Sequence, residues 1–203
     1  TAYEISTRDW SSDVCSSDLF EWKNILEKPP ENTSTTTLKE LKIISEATLT
    51  RTLEDIRIVN IIDQDPDQLF IKLTDKYNLP YPKTQIEEMY GLIRPILLNI
   101  KSLWNRPRPA QLAKYFNIPI DVIVTDTHHT AAYPSGHTVY SKLVSLVIKD
   151  IYGNKINERE LTKIVDQTAK ARIMQGVHYP SDNMASLKLS QFLFNKLKHK
   201  VQS

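Results

Sequence analysis

Residues 172–182 read RIMQGVHYPSD, Arg172 to Asp182. The string contains a helix stop followed by a helix start. Gly176 can take the left-handed backbone that closes a helix, and Pro180 has the fixed φ that suits a first helical position. Upstream, Leu161, Ile164, Val165 and Thr168 recur at helical spacing, which predicts a helix from Asn157 to Met174 with Arg172 in its last turns. Downstream, a last helix is predicted from Ser181 to about Lys200, with Asp182 in its first turn. His178 is left in the turn between the two.

The same period extends outward. Val139, Leu143, Val144, Val147 and Ile151 mark a helix over Ser135–Tyr152. Thr84-x-x-Glu87 reads as a capping box opening a helix that runs to about Trp104, with a kink expected at Pro95. Arg106-Pro107-Arg108-Pro109 stops it, and Ala110–Phe116 supplies another turn. Asp67–Tyr77 is a short helix. Thr37-x-x-Glu40 reads as a second capping box, opening one helix through Leu41, Ile44, Thr48, Leu49, Leu53, Ile56 and Val59 to about Asp63. Asp63, Asp65 and Asp67 imitate a calcium loop, but Gln68 and Thr74 stand where it needs Gly and Glu. Phe20–Pro30 is a short amphipathic piece, and Glu31–Thr37 is polar loop. Only Ile118–Thr125 looks strand-like. No repeats occur. The expected fold is an all-α, single-domain helical bundle.

The chain has 203 residues, a net charge of +2 and 25% charged residues. No apolar run reaches the roughly 18–20 residues that span a bilayer; Leu92–Ile100 is broken by Arg94, Pro95 and Asn99. The charge is too small to argue for nucleic acid. Cys15 is the one cysteine, so no internal disulfide can form. It lies in Asp9–Leu19, DWSSDVCSSDL, which resembles one reading frame of a short-read sequencing adapter. Residues 1–19 are therefore expected to be artefactual or non-native, and residues 20–203 to be the functional domain. That domain is cysteine-free and carries +5 over 184 residues.

Three local patterns carry chemistry. Lys101 stands before six residues and then Arg108-Pro109. Next comes Pro134-Ser135-Gly136-His137. The third is Arg172, five residues, His178, three residues, Asp182. Three cations match the two charges of a phosphate ester dianion, with Arg as a bidentate fork and Lys as a point charge. Ser135-Gly136 opens a helix, whose first N–H groups and positive dipole end attract an anion. The Ser135 hydroxyl adds a further donor. His128 and His129 are adjacent and no acidic cluster joins them, so no metal site is expected. His199 sits in a lysine-rich tail and reads as solvated. Tyr133 and Tyr179 flank the patterns, either lining a leaving-group pocket or packing in the core.

Together these patterns resemble the signature of the type 2 phosphatidic-acid phosphatase and vanadium haloperoxidase superfamily: KxxxxxxRP, PSGH and SRxxxxxHxxxD. The resemblance spans Lys101 to Asp182, and departs once, where Ala171 replaces the usual Ser. It implies the all-α bundle of that superfamily and is closest to the soluble class A nonspecific acid phosphatases. It also implies a metal-independent phosphomonoesterase. His178 would be the nucleophile forming a phosphohistidine, Asp182 would orient it, and His137 would serve as general acid and then general base. Lys101, Arg108, Ser135, Gly136 and Arg172 would bind the phosphate. No cofactor is implied, and the partner is a small-molecule phosphate ester. The alternative is a haloperoxidase holding vanadate in the same pocket. Compartment and oligomeric state stay open; the periplasm or secretion would fit a signal peptide lost with the true N-terminus.

Overall fold

The computed structural model describes residues 21–125 and 129–201; the segment Asp9–Leu19 and His128 lie outside them. Among these residues every regular element is helical. The α-helices are α1 (Thr35–Thr50), α2 (Leu53–Gln64), α3 (Gln68–Lys76), α4 (Lys83–Trp104), α5 (Pro109–Ala113), α6 (Gly136–Tyr152), α7 (Glu158–Met174) and α8 (Pro180–Leu197). Short 3₁₀ turns lie at Glu21–Asn24, Lys114–Phe116, Gly153–Lys155 and Lys198–Lys200.

Several boundaries differ from those expected. The helix predicted from Thr37 to Asp63 is two helices. The first is capped by Ser34, whose side chain accepts from Thr37 N. The second opens at Thr52, which exchanges capping bonds with Asp55. Thr52 offers the backbone a better partner than helix continuation, so the chain breaks there. Glu40 is thus no capping residue. Thr84 does not cap α4 either, since Pro82 stands at that cap without a side-chain bond. Residues 118–125 form no strand. That run is an irregular crossing segment, fixed by bonds from Asp121 N to Thr48 Oγ1 (3.2 Å) and from Ile123 N to Gln175 O (3.1 Å). Its apolar side chains, Ile118, Ile120 and Ile123, pack downward onto helices rather than sideways onto a partner strand.

Helix α6 is the centre of the bundle, packed by α8, α7 and α4, while α7 also carries α1, α2 and α3 on its outer side. The main core runs through Ile93, Leu97, Ile100, Val139, Leu143, Ile148, Leu161 and Leu189. Small hydroxyl side chains allow α6 and α8 to approach. Ser186 Oγ donates to Asp182 O (2.7 Å) and Ser135 O (3.0 Å), and Ser190 Oγ donates to Ser186 O (2.7 Å) and Val139 O (3.1 Å). The start of α6 is thereby fixed to the start of α8, the two places where the second and third sequence patterns sit. At the other side of this junction Trp104 makes edge contacts with Trp22 (5.5 Å between centroids) and Tyr133 (4.9 Å). Tyr133 also donates to Glu27 O (2.7 Å), tying the N-terminal segment down.

Candidate active site

Lys101, Arg108, Gly136, His137 and His178 line one cavity of about 270 Å³. They arrive from four places: the end of α4, the loop before α5, the first turn of α6 and the α7–α8 turn. Gly176, at φ 82°, turns the chain out of α7 so that His178 faces the cavity. A Cβ on Gly136 would meet only Leu97 Cδ2, at 3.8 Å, so glycine there keeps open space beside the helix N-terminus rather than relieving a clash.

His178 is almost wholly buried, and its two ring nitrogens face opposite partners. Arg108 Nη1 lies 2.9 Å from Nε2, and Asp182 Oδ2 lies 3.3 Å from Nδ1. A guanidinium can only donate, so Nε2 presents its lone pair and the proton sits on Nδ1, towards the carboxylate. Burial, and then the positive charge of Arg108, hold this imidazole well below the usual histidine range. It is neutral.

Asp182 is fully buried. It accepts from Tyr179 N (2.9 Å) and from Arg106 Nη1 (2.6 Å). Burial pushes its carboxyl up to about 6, against the pull of Arg106. Arg106 also donates through Nη2 to Glu40 Oε2 (3.0 Å) and stacks over the Tyr179 ring at 3.8 Å. Glu40 in turn accepts from Ser181 N (2.6 Å) and Ser181 Oγ (2.9 Å). Sequence reasoning missed both Arg106 and Glu40. Arg106 stood in plain view two residues before Arg108, but nothing local distinguished it.

The cations differ in placement. Lys101 donates to Ala131 O (2.6 Å), and burial followed by repulsion from Arg108 brings its ammonium down to about 7. Arg108 donates to Thr130 O (2.8 Å) and Val177 O (2.7 Å) and is lowered by burial only to about 10, so it stays charged. Arg172 is not a lining residue. It is buried behind the cavity, donating to Asp63 Oδ1 at 2.6 Å, and that same oxygen lies 3.9 Å from His137 Nε2. Asp63, expected only as a helix end, therefore stands between Arg172 and His137. Burial, then the charge of Arg172, pulls His137 down to about 3.

The hydroxyl of Ser135 is also off the cavity. It lies 3.0 Å from Thr138 Oγ1, which donates to Asn183 Oδ1 at 2.8 Å; the Thr138 oxygen therefore receives the Ser135 proton. What this first turn offers an anion is its backbone N–H groups, which no side chain caps. Ala171 packs among Val59, Ile62 and Met174, in an apolar cluster away from the cavity. Tyr133 and Tyr179 are both core residues. Among the described residues no three His, Cys, Asp or Glu side chains are grouped to hold a metal ion.

The profile of the PAP2 superfamily matches residues 89–201, more than half of the chain. Among solved structures, the chain resembles the first transmembrane PAP2-type phosphatidylglycerolphosphate phosphatase from Bacillus subtilis. The likeness has a TM-score of 0.55 at 15% identity and covers 92% of each chain. No curated protein matches. Among the described residues no helix is long and apolar enough to cross a membrane.

Proposed function

The chain belongs to the PAP2 superfamily, and from that membership we propose that it is a phosphatase that hydrolyses small phosphate monoesters through a phosphohistidine, without a metal ion. The observation that carries this reading is the orientation of His178. Its Nε2 presents a lone pair to Arg108, which lines the cavity beside it, and its Nδ1 is backed by the Asp182 carboxylate.

The reaction runs in two displacements. Phosphate oxygens entering the cavity take the N–H groups of Arg108 and the first-turn N–H groups of α6, which releases Nε2 from Arg108. The Nε2 lone pair forms a bond to phosphorus as the ester P–O bond breaks. The positive charge developing on the ring is met by Asp182 through Nδ1. The departing oxygen takes a proton from His137. His137 is neutral before substrate binds; a bound dianion offsets the charges of Arg172 and Arg108 that keep it so, and the ring then takes up a proton from solvent. Water then gives a proton to His137 and its hydroxide to phosphorus, the P–N bond breaks, and inorganic phosphate leaves. A cavity of about 270 Å³ suits a small monoester of the acid-phosphatase type.

The test is turnover of p-nitrophenyl phosphate with excess chelator. The wild-type chain is expected to keep its activity. His178→Ala should lose at least about 10³-fold while still binding inorganic phosphate, as removal of a nucleophile demands. Activity that survives His178→Ala, or that vanishes on chelation, contradicts the proposal.

A further inference from the structure

One face of α4 extends the cavity away from the reacting end. Tyr90, Arg94, Leu97, Leu98 and Lys101 all line it, at the spacing that puts side chains on a single helical stripe. Lys101 marks the phosphate end. Leu97 and Leu98 follow, and then Arg94, seven residues and thus roughly 10 Å along the axis from Lys101. Opposite stand Pro66 and Tyr140, and Tyr140 meets Tyr90 edge-on at 4.9 Å between centroids. The Tyr140 hydroxyl is occupied by Asp67, at 2.6 Å, so this wall is held in place.

Arg94 differs from every other arginine near the site. Arg106, Arg108 and Arg172 are buried and bonded to carboxylates or carbonyls. Arg94 is exposed at the mouth and, among the described residues, makes no hydrogen bond or ion pair. Among the described residues no carboxylate lines the cavity. Among the described residues the walls thus run from the cations and helix start around His178, across an apolar and aromatic stretch, to the guanidinium of Arg94.

We propose that this stripe is a leaving-group subsite for phosphate monoesters whose apolar or aromatic body carries a second anionic group about one stripe-length, roughly 10 Å, from the reacting phosphorus. The inference rests on the phosphatase reading above and deepens it. Arg94 recognises the far anion, Leu97, Leu98 and the two tyrosines cover the body between, and the chemistry at His178 is untouched. Both a lipid phosphate with an anionic headgroup and a water-borne aryl or nucleoside ester share this chemistry.

The experiment compares an isosteric pair, 4′-carboxybiphenyl-4-yl phosphate and its neutral carboxamide, by kcat/KM. The wild-type chain is expected to favour the carboxylate roughly five-fold, the scale of an exposed charge pair, and to lose that preference at high salt. In Arg94→Gln the ratio should fall to about one, and in Arg94→Glu below one. A wild-type ratio of one with brisk turnover overturns the subsite and leaves the phosphatase reading intact, as does a ratio unchanged in Arg94→Gln. No turnover of either ester, or of p-nitrophenyl phosphate, overturns both. A dihexanoyl phosphatidylglycerol phosphate arm separates the sources. A larger Arg94 effect on that lipid than on the biphenyl acid assigns the subsite to lipid phosphates, and the reverse to water-borne ones.

Discussion

Arg106 divides one positive charge between two buried carboxylates, Asp182 at 2.6 Å and Glu40 at 3.0 Å. That division sets how strongly Asp182 resists its own burial, and two substitutions should move it in opposite directions. In Glu40→Gln the guanidinium acts on Asp182 undivided, so the carboxyl, pushed up to about 6 in the native chain, should titrate lower. The acid limb of kcat/KM then moves to lower pH. In Arg106→Lys the planar fork is lost, the limb moves to higher pH, and kcat should fall about 10–100-fold as Asp182 ceases to position His178. Full pH–rate profiles check both; shifts of the same sign would show that Arg106 does not act through Asp182. The motif residues that meet in the cavity could be read from the sequence because their chemistry is local and their spacings are specific. Glu40 could not, because its partner lies 66 positions away and its neighbour Thr37 supplied a plausible local explanation. Asp63, paired with Arg172 across 109 positions, was hidden for the same reason.

At the scale of the element, the α7–α8 turn is held from both sides. Gly176 has φ 82°, and a Cβ there would come within 3.0 Å of Ile120 Cγ2 and 3.3 Å of both Thr48 Cγ2 and Val122 Cγ2. Arg51, at the end of α1, donates to Met174 O at 2.9 Å and pairs with Asp121 at 2.5 Å, clamping the crossing segment over the turn. Gly176→Ala should therefore cost about 1–3 kcal/mol in urea unfolding, through backbone strain and contact together. It should also raise KM by displacing His178. An unchanged unfolding midpoint would mean that the segment yields and the turn does not depend on it. The helices themselves were largely legible, since α6, α7 and α8 follow strong apolar periods and begin where Ser135, Asn157 and Pro180 predict. The break at Thr52 was not, because apolar spacing ran straight through it and the reciprocal bonds between Thr52 and Asp55, from Asp55 N to the hydroxyl at 3.2 Å and from Thr52 N to the carboxylate at 2.8 Å, decide the matter. The crossing segment misled because a buried β-branched run has the same appearance whether it pairs with a strand or lies over helices.

For the whole molecule, the consequence of burying two neutral histidines is acid sensitivity. His137 is lowered to about 3 and His178 well below its usual range, so the unfolded chain binds protons below about pH 6.5 that the native chain refuses. Stability is lost as pH falls through that window. Asp182, raised to about 6, works in the opposite sense between 6 and its unfolded value near 4, but it is one group against two. The melting temperature should thus drop from pH 7 to pH 4.5, and His137→Gln should flatten the drop. Inorganic phosphate should oppose it, since a bound anion favours the protonated rings; a phosphate-independent slope would refute the coupling. The cluster of Trp22, Trp104 and Tyr133 gives the molecule an optical voice of its own. Trp104 closes α4 three residues after the cavity-lining Lys101 and two before Arg106, which holds Asp182, and its indole packs on Trp22 of the anchored N-terminal segment. Emission from that indole reports, without any label, whether the segment from Glu21 to Pro30 is still seated against the machinery beneath it.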